Sequence, residues 1–172
     1  KYPMVASVAF DLDRSRKGDH LVYMDIRVRD QVFRIFATHL IAINFAAWDD
    51  HQEEDPGEYR TLFSKLIRGY NFRYYQAELV GQKIAASPYP SVICGDFNDI
   101  PNSSTYFKIK GDLQDTFLKK GYGTGRTTRR SFLLISPRID YILAGKAFHV
   151  STFQTLPIPY SDHFPVAADL QY

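Results

Sequence analysis

Three short polar clusters, each at the edge of an apolar run, carry most of the residues in this chain that could do chemistry. They are Ile93-Cys94-Gly95-Asp96-Phe97-Asn98, Arg138-Ile139-Asp140-Tyr141 and Ser161-Asp162-His163-Phe164-Pro165, with Ala37-Thr38-His39-Leu40 upstream. Together they offer the carboxylates of Asp96, Asp140 and Asp162, the imidazoles of His39 and His163, and the amide of Asn98. A divalent metal needs hard oxygen ligands. Phosphoester hydrolysis also needs an activated water and donors that neutralise charge on the phosphoryl oxygens. This set can divide those duties if it converges on one edge of a sheet. Asn98, two residues after Asp96, is expected to project to the same side of an extended segment, where its amide can donate to a phosphate oxygen.

Each cluster is weak alone. Gly-Asp-Phe-Asn after a strand can be a turn, because Asp and Asn hydrogen-bond their own backbone. Ser-Asp-His can be a local cap, and a histidine at a strand end can be structural. Asp140 is less easily dismissed, since on an alternating strand it opposes Ile139 and Tyr141 and, facing inward, needs a partner.

The elements that must position these groups follow from periodicity. Residues 5–12, 21–28 and 32–40 read as strands. In the second, Val22, Met24, Ile26 and Val28 share one face, with Tyr23, Asp25 and Arg27 on the other. The third is apolar on both faces and is therefore expected to be central, delivering His39 at its far end. Asp55-Pro56 suits a helix start, and apolar residues from Leu62 to Ile84 recur at helical spacing, with Gly69-Tyr70-Asn71 expected to split the helix. Residues 91–95 read as a short buried strand. A turn from Asp99 to Ser104 leads into a short helix through Lys108, a Gly-rich loop spans 121–125, and strands follow at 138–143, 148–156 and 164–170. No repeat or linker interrupts the chain, so a single α/β domain over 1–172 is expected, with an insertion at about 41–72.

Composition limits the alternatives. Of the 172 residues, 45% are hydrophobic and 23% charged, which excludes a disordered or fibrous chain. The 12 Tyr and 13 Phe are read as bulky core and half-buried strand residues rather than as a platform for bases. A net charge of +2 does not announce a polyanion partner, but Lys119-Lys120 and Arg126-Thr127-Thr128-Arg129-Arg130 concentrate cations in one stretch, where Arg126 and Arg129 are candidates to hold phosphate. Cys94 is the single cysteine, which rules out an internal disulfide, and its position on an apolar strand suits packing better than nucleophilic chemistry. No apolar run approaches the length a bilayer requires.

Read in order, Thr38-His39-Leu40, the helix around Arg73-Tyr74-Tyr75-Gln76-Ala77-Glu78, Gly95-Asp96-Phe97-Asn98-Asp99, Arg138-Ile139-Asp140-Tyr141-Ile142 and Ser161-Asp162-His163-Phe164-Pro165 resemble the endonuclease/exonuclease/phosphatase superfamily. The resemblance implies a DNase I-like four-layer α/β sandwich and a Mg²⁺-type metal, Mg²⁺ or Mn²⁺. It implies that Asp96 orients or deprotonates the attacking water and that Asn98 holds the phosphate. His163 would stand at the scissile phosphate with Asp140 hydrogen-bonded to it, His39 would be a second phosphate-contacting histidine, and Asp162 would join Asp96 as a metal ligand.

One departure matters. Family members carry an Asn on their first strand and a metal-binding Glu soon after, and neither has a counterpart here; Glu53, Glu54, Glu58 and Glu78 sit in the acidic run or on the helix. The start at Lys1-Tyr2-Pro3, without an initiator Met, reads as a processed or truncated polypeptide carrying the carboxy-terminal portion of the domain. On this reading the chain alone is expected to bind metal weakly and to turn over little or nothing. The substrate is a phosphoester of unresolved class, with nucleic acid, phospholipid and inositol phosphate all admitted by the superfamily. The segment over 41–72 and the basic stretch over 119–130 are the expected selectors. Phe45 and Trp48 suit packing against the next helix better than contact with a membrane. A non-catalytic binding or scaffold domain that keeps the fold is the alternative.

Overall fold

A computed structural model describes residues 2–12, 20–42, 58–129 and 137–172, with the side chains of 58–63 and 65 left aside. The acidic run at 49–55, the Asp55-Pro56 helix start, the Phe45 and Trp48 tip, the polar turn at 14–19 and Arg130 lie outside the described residues.

Strands β1 (Met4–Asp11), β2 (His20–Val28) and β3 (Gln31–His39) form an antiparallel meander. Helix α1 (Glu58–Ala85) then crosses back to β4 (Ser91–Asp96), which pairs with β3 in parallel. Parallel pairing of this kind requires a long crossover, and the helix supplies it. Helix α2 (Ser104–Lys110), the two-residue strand β5 (Gln114–Asp115), helix α3 (Thr116–Lys120) and strand β6 (Asp140–Ala144) follow. The six strands take the order β1-β2-β3-β4-β6-β5, so β3 is interior, as its two apolar faces predict. Strands β7 (His149–Thr155) and β8 (Val166–Gln171) make a separate antiparallel pair.

Each face of the large sheet has its own core. On one, Leu21, Phe36, Ile93, Tyr141 and Leu143 pack with Ala77 and Val80 of α1 and with Tyr106 and Ile109 of α2. On the other, Phe33, Val92 and Ala144 pack with Phe148 and with Leu170 of β8. A helix layer, the large sheet and the small sheet therefore stack in succession, an α/β sandwich as expected.

One sequence expectation changes, and two details are added to the others. Helix α1 runs unbroken through Gly69-Tyr70-Asn71, because Gly69 is buried in the helix. Tyr23 turns to the helix-side core beside Phe36, and Asp25 is buried because Arg34, its direct cross-strand neighbour, donates to both its oxygens at 2.7 and 2.8 Å. Lys119 and Lys120 close α3; this five-residue helix is capped by the Asp115 carboxylate, which accepts from the amides of Phe117 and Leu118.

Candidate active site

The sheet register builds the site. His39 of β3 stands beside Asp96 of β4, and Asp96 stands beside Asp140 of β6. Adjacent strands lie about 4.8 Å apart, so three polar residues fall in one row across the sheet. The ladder continues past the strand ends, where Leu40 N–H donates to Asp96 O at 3.0 Å and Phe97 N–H donates to Ile139 O at 2.9 Å. Gly95, one residue before Asp96, has φ +152°, and a Cβ there would lie 1.9 Å from the Thr38 carbonyl oxygen. Glycine is what lets β3 and β4 run together up to the polar row.

Asn98 reaches the row by a turn and not by the strand alternation expected for it. Strand β4 stops at Asp96, and Asn98 has φ 50°, in the left-handed region that Asn tolerates better than most residues. The turn is closed by Asn98 N–H donating to Asp96 Oδ1 at 2.7 Å. Its side chain then donates from Nδ2 to Leu40 O at 2.8 Å, with His39 Nε2 3.4 Å away.

His163 arrives from the segment before β8. Its Nδ1 lies 3.0 Å from Asp140 Oδ2 and 3.9 Å from Asp96 Oδ2. The first contact is a hydrogen bond and the second only Coulombic. An ionised carboxylate can only accept, so Nδ1 carries the proton and Nε2 is left for another partner. His39 Nε2 is likewise 3.9 Å from Asp96 Oδ2. Burial pushes the Asp96 carboxyl above the usual carboxylate range, and the like charge of Asp140 pushes the same way; the Asn98 amide and the two imidazoles offset only part of this.

Such a carboxylate is held at a cost that a cation would relieve. Ligand atoms of Asp96, Asp140 and His163 all lie within 4.8 Å of one another; the two carboxylates offer the hard oxygen ligands a divalent ion takes, while His163 Nδ1, donating to Asp140, stands beside them and is not itself a ligand. Asp162 is not in that group; its main-chain oxygen accepts from Arg129 N–H at 2.7 Å. Beside the cluster is a cavity of about 310 Å³ lined in part by Cys94, Gly95, Asp140, Ile142, His163 and Phe164.

The model of the Endonuclease/Exonuclease/phosphatase family matches residues 1–163. The chain belongs to that family. Solved structures agree at the level of fold. A mannosyl-6-phosphatase of Bacteroides thetaiotaomicron is 22% identical, with a TM-score of 0.73 over 100% of this chain and 68% of that one. The human Nocturnin catalytic domain with bound sulfate is 20% identical, with a TM-score of 0.68 over 99% of this chain and 60% of that one. D. rerio TDP2 complexed with a single-strand DNA product is 14% identical, with a TM-score of 0.68 over 99% and 69%. The chain thus spans about two thirds of the length of these structures. No curated protein matches it by sequence.

In this endonuclease/exonuclease/phosphatase chain the structure brings His39, Asp96, Asn98, Asp140 and His163 to one place. Arg126 and Arg129 lie next to it, because the bridge between Thr128 and His163 ties their segment to the histidine. Their guanidinium carbons sit 5.2 and 5.0 Å from the centroid of the Phe164 ring. Supporting residues to which the sequence reading gave no individual role also emerge. Arg73 donates from Nε to Ile41 O at 3.0 Å, and Gln76 Oε1 accepts Ile41 N–H at 2.9 Å, so α1 grips the main chain on both sides of one residue, two positions beyond His39. Arg138, part of the second polar cluster, is structural: buried, it donates to both oxygens of Asp115, which Tyr106 Oη also reaches at 2.7 Å. That burial and the Asp115 carboxylate drive the Tyr106 phenol well above its ordinary range.

Proposed function

We propose that this domain hydrolyses phosphoester bonds with the help of Mg²⁺ or Mn²⁺, as a phosphodiesterase or phosphatase. The observation that carries the reading is the convergence of Asp96, Asp140 and His163 beside His39 and Asn98, from strands far apart in sequence. Asp96 and Asp140 would hold the ion with His163 adjoining, and Asp162 is the further carboxylate the resemblance offers. A bound divalent ion would neutralise charge on the phosphoryl oxygens and lower the pKa of a coordinated water.

The chain's own residues take the remaining duties. Asp96 orients and deprotonates the attacking water through Oδ2, which stands 3.9 Å from both His39 Nε2 and His163 Nδ1, while Oδ1 is occupied by the Asn98 amide. His163, fixed by Asp140, presents Nε2 to the phosphate. His39 and the Asn98 amide supply donors to the non-bridging oxygens. These groups are placed before substrate arrives, so their stabilisation of the in-line transition state costs little reorganisation. Arg126 and Arg129 would engage a more distant part of the substrate, the class of which is nucleic acid, phospholipid or inositol phosphate. The family resemblance also implies a metal-binding Glu and an Asn with no counterpart in this sequence, and we propose that the chain by itself binds metal weakly and turns over slowly.

The test is Mg²⁺-dependent hydrolysis of bis-p-nitrophenyl phosphate, followed by panels of nucleic acid, phospholipid and inositol phosphates. Asp96→Asn and His163→Ala serve as controls, and a longer version carrying upstream sequence is assayed in parallel. Turnover that is metal-dependent and lost in both variants supports the reading. Failure of the longer version on every panel overturns it, and equal rates for the two lengths overturn the weakness assigned to this chain.

A further inference from the structure

The Asp140–His163 hydrogen bond joins two segments that share no strand pairing, so something else must fix their spacing. Strand β6 has β4 on one side along its whole length. On its other side β5 pairs with Leu143 and Ala144, which leaves the Asp140 end without a strand neighbour among the described residues. Main-chain amides at such an end need acceptors from elsewhere when buried.

Thr127 supplies them. Its Oγ1 accepts from the amides of Ile139 at 3.0 Å and Asp140 at 3.1 Å. Its carbonyl oxygen accepts Phe164 N–H at 2.7 Å, and its own amide donates to Pro137 O at 3.3 Å. The residue is 0% exposed. The neighbouring Thr128 bridges His163, and Arg129 N–H donates to Asp162 O at 2.7 Å, so the ribbon over 127–129 runs along the histidine segment. One side chain therefore grips the backbone of Asp140 while the same residue's main chain grips the residue after His163.

We propose that Thr127 is a positioning residue for the reaction, setting the distance between Asp140 and His163 through its hydroxyl. The inference rests on the catalytic reading of that pair given above. The hydroxyl matters as an acceptor and not as bulk: valine has the same branched shape but accepts nothing, so the Asp140 end of β6 would be free to shift relative to His163. A displacement of an ångström in a catalytic constellation can cost about 100-fold in rate.

Thr127→Val and Thr127→Ser, made in the full chain and in the longer version used for turnover, separate positioning from packing. Thr127→Val is expected to lower kcat about 10- to 100-fold with KM within about 3-fold, and Thr127→Ser to stay within about 3-fold of the parent in both. A second readout needs no activity. The hydrogen-bonded His163 Nδ1 proton, assigned by its loss in His163→Gln, should be visible by NMR in the parent and in Thr127→Ser and lost to exchange in Thr127→Val while the amide spectrum stays folded. If Thr127→Val fails to fold, Thr127→Cys, of similar size but a weak acceptor, takes its place under the same readouts. Parent-like kcat and an intact Nδ1 resonance without the hydroxyl would overturn the inference, as would equal losses in Thr127→Ser. Should no version turn over any substrate, the proposed activity fails, and the resonance alone still decides the role of Thr127.

Discussion

Asp96 faces Asp140 directly across the antiparallel strands β4 and β6, a like-charged pair in a half-buried row. Strand pairing disfavours like charges opposite each other, and here the arrangement sits where His163 and His39 also point charge or dipole at Asp96. The pair is explained by what it could bind.

The first consequence is a cation effect on stability. Mg²⁺ or Mn²⁺ that binds only the folded chain stabilises it by mass action, about 1.4 kcal/mol once the ion is at ten times its dissociation constant. For a domain of this size that corresponds to a rise in Tm of roughly 3–6 °C. Thermal denaturation with increasing Mn²⁺ should show the rise in the parent and not in Asp96→Asn or Asp140→Asn. A rise that survives both substitutions would place the ion elsewhere.

Without metal, pH should act through Asp96 in the opposite sense to a salt-bridged aspartate. Its folded carboxyl is raised, first by burial and then by Asp140, so between the ordinary carboxylate value and the raised one the folded state holds more protons than the unfolded. Its contribution is then complete at pH below the unfolded value and is lost as pH climbs through the folded value. Urea denaturation in the presence of EDTA should show stability falling across that window, and Asp96→Asn should flatten the fall. An unchanged slope in the variant would assign the dependence to other groups.

Helix α1 secures the site from behind. Arg73, buried, holds the Ile41 carbonyl and lies 3.4 Å from Asp99 Oδ2, an oxygen that otherwise has no hydrogen-bond partner. Replacing one partner of a buried ion pair leaves the other uncompensated, so Arg73→Met should cost about 3–5 kcal/mol. Gln76→Leu strands the Ile41 amide and should cost about 1–3 kcal/mol. Denaturant midpoints measure both. A loss below 1 kcal/mol for Arg73→Met would mean that water reaches Asp99.

The large elements were legible because hydrophobic periodicity fixed them: the meander, the central position of β3 and the crossover helix follow from apolar spacing alone. The candidate site was legible for a related reason, since His39 and Asp96 each end an apolar strand, Asp140 begins one that runs antiparallel, and the three fall in register. Sequence could not show that Asn98 arrives through a left-handed turn, because Gly-Asp-Phe-Asn is equally compatible with extended chain. Helix α3 escaped because five residues give no period, although Asp115 before Thr116 and Phe117 is a cap signal. Arg138 looked like part of the chemistry and is instead the buried partner of Asp115. Thr127 had no signal at all, since a threonine in a basic stretch becomes meaningful only once the unpaired end of β6 is seen beside it.

The basic stretch offers the sharpest test of how substrate is held. Arg126 donates from Nε to Thr128 O at 2.9 Å and Arg129 from a terminal nitrogen to Ile158 O at 2.8 Å, and both are exposed over the Phe164 ring. A guanidinium carries five N–H groups, so one anchoring bond leaves most of the fork for a phosphate or carboxylate. If the pair grips a part of the substrate remote from the scissile bond, ground state and transition state gain equally. Arg126→Gln and Arg129→Gln should then raise KM about 10-fold each with kcat within about 3-fold, and should flatten the dependence of kcat/KM on salt. Lysine should restore the salt dependence but only part of the affinity, because an ammonium lacks the planar fork. A fall in kcat at constant KM would instead place one of these arginines at the reacting phosphate itself, in direct competition with His39 and Asn98 for its oxygens.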